Sequence, residues 1–244
     1  MQNTSKKRDN LFENNKKNIP SLDLVDDSTP FGISEAFRTL YTNVLYLNIE
    51  GKCKKIAVTS AISGEGKTTI SSNLALTIAM NAENKRVLLI DTDMRKPRIS
   101  QIFSIEEAHG LSEYLAGIDE KPNFVETNDK KITILTSGST NVNPTKLISS
   151  NRMNQLFEMC NDLFDYVIVD TPPINIVSDA LLLHDKVNGY IISVKANRSN
   201  TAALDECINK LQSVNAEIFG ISMTNINAKS NRKTGYGSDY SYGK

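Results

Sequence analysis

Ala61-Ile62-Ser63-Gly64-Glu65-Gly66-Lys67-Thr68-Thr69 stands between an apolar run at 55–60 (KIAVTS) and a helical pattern from 67 to about 80 that carries Leu74, Ala75 and Ile78 on one side. The template G-x-x-x-x-G-K-[ST] of a P-loop is met at every fixed position except the first, where Ala61 replaces glycine. Each retained position has a physical reason. Gly64 and Gly66 let backbone N–H groups close around phosphate oxygens without Cβ clashes. The helix that follows aims its partially positive N-terminus at the same anion. Lys67 adds a full charge near the β- and γ-phosphates, and the Thr68 hydroxyl suits a Mg2+ ligand. Ser63, Glu65 and Thr69 complete the loop that would hold a nucleotide. A dinucleotide-binding reading fails, because the third glycine of G-x-G-x-x-G would fall at Thr69.

Working outward, the run at 86–91 (RVLLID) is continuously apolar, as a parallel strand buried on both faces must be. It ends in Asp91-Thr92-Asp93-Met94-Arg95. Two carboxylates this close at a buried strand end are costly unless a cation or a proton awaits them, and strand C-termini line the ligand crevice of open α/β sheets. Mg2+ would supply the cation. The pattern recurs at 166–170, where Asp170 closes an apolar run before Thr171-Pro172-Pro173 and matches a Walker B carboxylate. Further strands are expected at 131–135, 189–195 and 217–223, with helices at 151–164 and 201–214. Such alternation predicts right-handed βαβ units, hence the α/β class: a P-loop NTPase with a central, mostly parallel sheet flanked by helices. Three strand ends then bring phosphate and metal ligands to one crevice, which calls for a nucleotide and Mg2+.

Composition narrows the setting. With 244 residues, one large domain is the better expectation. Lys+Arg and Asp+Glu are equal at 28 each, which speaks against a domain-wide basic surface for nucleic acid. Cys53, Cys160 and Cys207 lie far apart without a C-x-x-C pair, so neither a disulfide framework nor structural zinc is expected. No apolar run reaches the roughly 18 residues that a membrane span needs. A cytoplasmic chain is therefore expected. Residues 1–28 are polar and read as a flexible arm, 29–228 as the nucleotide-binding domain, and 229–244 as a mobile tail. Near the start of the domain, Phe37, Leu40, Tyr41, Val44 and Leu45 share one face of a predicted helix with Ser34 as N-cap.

The P-loop, IDTDMR and VIVDTPP together resemble the bacterial tyrosine kinases, the autophosphorylating enzymes of capsule and exopolysaccharide assembly. Asn143–Ile148 (NPTKLI) resembles that family's NPSELL segment, and the likeness extends over roughly 30–244. It implies ATP as the nucleotide, Lys67 as the phosphate-binding lysine, Thr68 as a metal-ligating hydroxyl, Asp91 as the base toward the incoming tyrosine, and Asp93 and Asp170 as the pair that positions Mg2+. It also implies Asn225 as an adenine contact, although Asn225 lies one residue farther from Gly220 than the family's spacing. The family ends in a tyrosine cluster, and Tyr236, Tyr240 and Tyr242 stand in the same place here as phosphoacceptors. A phenol needs a positioned base near neutral pH, and a mobile tail can reach a neighbouring subunit's active site.

The family's Glu-x-x-Arg-x-x-Arg helix builds an oligomeric ring. Glu35 and Arg38 are present, but the third position is Tyr41, and Lys146 stands where the family carries Glu. The resemblance further implies a transmembrane modulator as activator, peripheral recruitment to the inner face of the membrane through it, a homo-oligomer, a cognate phosphotyrosine phosphatase, and control of polysaccharide chain length and export. Two other readings stay open. A positioning ATPase of the MinD/ParA type carries a signature lysine where this chain has Ile62. A non-catalytic ATP-binding regulator would have no need of Lys67, Asp91, Asp93 and Asp170 together.

Overall fold

In the computed structural model, which describes residues 24–26, 28–106, 109–127, 132–139 and 142–226, the strands are β1 (Lys54–Ser60), β2 (Val87–Asp91), β3 (Val125–Thr127), β4 (Ile132–Leu135), β5 (Tyr166–Asp170), β6 (Gly189–Lys195) and β7 (Ile218–Thr224). They form one sheet in the order β3-β4-β2-β5-β1-β6-β7. Every pairing is parallel except β3 with β4. The helices are α1 (Phe31–Leu45), α2 (Lys67–Asn81), α3 (Ile99–Ile102), α4 (Leu111–Ala116), α5 (Pro144–Ile148), α6 (Asn151–Leu163) and α7 (Thr201–Ser213), with a 3-10 turn at Asp179–Leu183.

The continuous apolar runs are explained by two cores, one on each face of the sheet. Ala57, Leu88, Ile90, Val167 and Val169 pack with Leu156, Phe157 and Cys160 of α6 and with Cys207 and Leu211 of α7. Their neighbours Ile56, Val58, Leu89 and Ile168 point the other way, onto Leu74 and Ile78 of α2 and Val44 of α1. Burying each such aliphatic side chain is worth about 1.5–3 kcal/mol.

Helix α2 departs from the one-sided burial that its sequence suggests. All of its residues except Thr69, Met80 and Asn81 are buried, since it lies between the sheet and α1, and the small Ser71, Ser72 and Ala75 allow close approach. Helix α1 starts earlier than Ser34 implies. Pro30 occupies the N-cap position, its carbonyl accepts the N–H groups of Ile33 and Ser34 at 2.9 and 3.1 Å, and the Ser34 hydroxyl bonds back to the Thr29 carbonyl. Leu45 is 42% exposed instead of joining the packed face. The segment at 24–26 is docked rather than free: Val25 is buried, and its N–H donates to Asn73 Oδ1 at 2.7 Å. Residues 1–23 and 27 of the expected arm lie outside the described residues. Among the described residues no helix is long and apolar enough to cross a membrane.

Register is what builds the site. Asp91 at the end of β2 pairs with Asp170 at the end of β5, and Asp170 pairs with Val58 of β1. The three parallel strands therefore end side by side at one edge, with the loop 61–66 leading from β1 into α2.

Candidate active site

The loop 61–66 adopts the curled backbone that its glycines permit. Gly64 and Gly66 have φ of +84° and +91°, a region that costs an L side chain energy. Ala61 is not among the positive-φ residues, so its Cβ in place of the template glycine brings no strain. Ser63 and Gly64 are exposed at the apex, Gly66 and Thr69 half-buried, and Lys67 and Thr68 buried at the start of α2. Glu65 differs from its neighbours. Its side chain is fully buried, with Oε2 accepting the Ile62 N–H at 2.9 Å and Oε1 accepting the Ser199 hydroxyl. Its carbonyl accepts from Ser193 Oγ and Thr224 Oγ1 at 2.6 and 3.0 Å. The carboxylate thus braces the loop from within and does not face a ligand.

Behind the loop, Lys67 Nζ lies 3.3 Å from Asp93 Oδ2, and the Thr68 hydroxyl donates to Asp170 Oδ2 at 2.7 Å. Asp91 is gripped by backbone: Oδ1 accepts the Asp93 N–H at 3.0 Å, and Oδ2 accepts the Arg98 and Ile99 N–H groups at 3.2 Å each. Asp91, Asp93 and Asp170 are all buried, with Lys67 as the cation among them. Burial, and then the charge of Asp170, push the Asp91 carboxyl well above the usual carboxylate range. Burial pushes Asp170 up to about 6 despite the nearby Lys67 and Thr68. Asp170 Oδ1 has no hydrogen-bond partner among the described residues, the Ser71 hydroxyl being engaged on the Thr68 carbonyl. A buried carboxylate oxygen without a donor is rare and points to a missing cation or proton. No three His, Cys, Asp or Glu side chains among the described residues are grouped to hold a metal alone. The donor set still fits Mg2+, which takes oxygen ligands and keeps waters and substrate phosphates rather than an all-protein cage.

The end of β7 adds a contact that the spacing does not name. Thr224, not Asn225, reaches the loop: a Cβ on Gly66 would lie 3.0 Å from Thr224 Cγ2. Asn225 follows the strand with φ +58° and is exposed. Four residues to which the sequence assigned no role brace the site. Arg95 Nε donates to buried Asp179 at 2.8 Å, its Nη2 bonds Thr145 Oγ1 at 3.2 Å, and that hydroxyl donates to Asp179 at 2.6 Å. This triangle ties the β2–α3 loop to α5 and the 3-10 turn. Only the NPTKLI segment hinted at it. Ser199, the fourth, clasps Glu65. Glu35 and Arg38 form an exposed i,i+3 pair at 3.9 Å on α1, away from these contacts, and Tyr41 packs partly against the core. Tyr236, Tyr240 and Tyr242 lie outside the described residues.

Fold and site together define a P-loop α/β nucleotide-binding protein. A family model described as an AAA domain matches residues 53–224. The chain is 33% identical over 205 residues to the tyrosine-protein kinase YwqD of Bacillus subtilis, covering 83% of this chain and 85% of that one. It is 34% identical over 219 residues to the tyrosine-protein kinase CpsD of Streptococcus pneumoniae, covering 88% and 94%. Among solved structures, the kinase domain of Escherichia coli tyrosine kinase ETK superposes with a TM-score of 0.76 at 31% identity, covering 86% of this chain and 80% of that one. The chain belongs to the bacterial tyrosine kinase family.

Proposed function

We propose that this protein-tyrosine kinase transfers the γ-phosphoryl group of ATP to the tyrosines of its own C-terminal cluster, Tyr236, Tyr240 and Tyr242, between subunits. The observation that carries this reading is the convergence of Lys67, Thr68, Asp91, Asp93 and Asp170 in one buried group, with Asp170 Oδ1 left without a donor. Membership in the family supports it.

In this reading the N–H groups of 63–69 and Lys67 bind the triphosphate, and Lys67 exchanges its contact with Asp93 for phosphate oxygen. Thr68, Asp93 and Asp170 would hold Mg2+, which supplies charge neutralisation on the phosphate oxygens. Asp91 accepts the phenolic proton of the incoming tyrosine, its raised proton affinity bringing it closer to the working pH of a general base. Burial keeps competing water from the group. Each phosphotyrosine adds about 1.5–2 negative charges, which loosens the tail from any anionic neighbour.

The same reading takes the protein to work in control of capsule or exopolysaccharide synthesis and export. It does so with a transmembrane modulator that recruits it to the membrane, a phosphotyrosine phosphatase that resets it, and an oligomer built through Glu35 and Arg38. Intact-mass spectrometry after incubation with MgATP tests the core of the proposal. Wild type should gain phosphate mapped to the tail, and the triple Tyr236→Phe, Tyr240→Phe, Tyr242→Phe variant should lose most of the added mass. An undiminished gain in the variant would move the acceptor elsewhere, and no gain with any modulator peptide would remove the kinase reading.

A further inference from the structure

The apex of the phosphate loop is covered by a cation that the motif does not contain. A Cβ on Gly64 would lie 3.0 Å from Arg198 Nη1, 3.2 Å from its Cζ and 3.3 Å from Nη2, so the whole guanidinium lies against the loop. Arg198 sits between β6 and α7, more than 130 positions from Gly64 and far from any recognisable motif. Its side chain is exposed and has no carboxylate partner among the described residues.

Its position is fixed by the clasp on Glu65. Ser199 donates to Glu65 Oε1 while its oxygen accepts the Lys195 N–H at 3.0 Å, and Ser193 holds the Glu65 carbonyl. Asn197 takes φ +63°, and the Arg198 N–H returns to the Lys195 carbonyl at 3.2 Å, turning the segment over the loop apex. An acidic residue inside an anion-binding loop would oppose its ligand. Here that carboxylate is turned inward, and the contact it makes instead brings a guanidinium to the loop's exposed rim.

We infer that Arg198 is a nucleotide-binding residue whose guanidinium donates to the phosphate chain of the nucleotide held by the loop 61–66. Its five N–H donors in a fixed fork match phosphate oxygens, and Gly64, beside it, belongs to the segment whose backbone N–H groups cradle phosphate. The inference rests on the nucleotide-site reading above and adds to it a charge that no P-loop template supplies. It also assigns Glu65 a purpose: positioning Arg198 through Ser199.

The test is equilibrium displacement of a fluorescent ATP analogue from the full chain by ATP, ADP and adenosine, with Arg198→Ala, Arg198→Lys and Lys67→Met beside wild type. Arg198→Ala should weaken ATP and ADP about tenfold or more, the ~1.4 kcal/mol that one charge-assisted hydrogen bond readily supplies. Adenosine affinity and the melting temperature of the nucleotide-free protein should stay at wild-type values, and Arg198→Lys should recover part of the loss. Wild-type affinity of Arg198→Ala for ATP and ADP would overturn the inference. An equal loss for adenosine would place the guanidinium on the nucleoside and overturn the phosphate assignment. Undiminished ATP binding by Lys67→Met would instead bring down the nucleotide-site reading beneath it.

Discussion

Glu113 in α4 and Asp170 at the end of β5 are both buried carboxylates, yet the fold treats them in opposite ways. Glu113 caps its own helix. Oε2 accepts the Gly110 N–H at 2.8 Å and the Ser112 hydroxyl at 3.0 Å, while Oε1 accepts the Ser139 N–H and hydroxyl at 2.9 and 3.3 Å. Gly138, with φ +79°, leaves the space that the carboxylate fills. Burial alone would push Glu113 up, but the N–H groups of Ser139 and Gly110 outweigh it and hold the carboxyl below its ordinary value. Asp170 accepts the Thr68 hydroxyl on Oδ2 with no backbone N–H to help, keeps Oδ1 without a donor among the described residues, and is pushed by burial up to about 6 despite Lys67, Thr68 and Ser71 beside it. The protein itself supplies the donors that Glu113 needs, whereas it leaves Asp170 short of them, as the proposed Mg2+ site requires.

The largest break of that contrast comes from Asp91, which stands on both sides of it. Asp91→Asn should slow phosphoryl transfer by roughly 10²–10⁴, the range for loss of a general base. ATP affinity should stay near wild type by titration. The structure adds a condition. The asparagine amide must face one of the N–H groups of Asp93, Arg98 or Ile99, so rates are to be compared per mole of folded protein. Transfer at the wild-type rate would leave Asp91 with its loop-holding contacts alone.

Glu113→Gln should cost about 1–3 kcal/mol in denaturant unfolding, because an amide NH2 would then face donors in a dry site. ATP affinity should not move. Asp170→Asn should act in the reverse sense on the nucleotide-free protein, raising its stability by roughly 1–3 kcal/mol at pH 7.5, at 1.36 kcal/mol per pKa unit. It should also weaken the Mg2+ dependence of ATP binding. A destabilised Asp170→Asn would show that Asp170 is structural in the manner of Glu113.

The smallest effect is the pH profile of melting. Asp170 has a raised folded-state proton affinity, so the folded protein holds its proton more firmly than the unfolded chain does. Its contribution to stability is complete below the unfolded value near 3.8 and is lost as pH rises through about 6. Glu113, lowered from 4.5, contributes above that value and loses its contribution as pH falls through its folded value. Without Mg2+ or nucleotide, the melting temperature should therefore rise from pH 7.5 toward 5.5 and turn down below about 4.5. Asp170→Asn should reduce the first limb, which Asp91 shares, and Glu113→Gln should reduce the second, which Asp165 and Asp185 share. A first limb unchanged in Asp170→Asn would sever the link to this carboxylate.

Where the sequence is readable, the reason is local. The loop 61–69 declares itself because glycine freedom, a lysine and a hydroxyl are needed at fixed spacing along one turn of chain. The strands at 87–91 and 166–170 declare themselves because burial on both faces forbids polar residues until the strand ends. The short elements β3, α3, α4 and α5 escape notice, since three to six residues carry too little periodicity to read. At β7, the pairing with β6 also delivers Thr224 to the loop, a contact that no local spacing announces.

Neighbouring residues alone spell out the α/β class, the phosphate loop and the three carboxylates at strand ends. It takes the folded chain to turn Glu65 inward, to tie Arg95 to Asp179 and Thr145, to grip Asp91 with backbone and to lay Arg198 over Gly64. Those contacts join residues that chain distance separates and sheet register reunites, and no local pattern records which strand end will stand beside which.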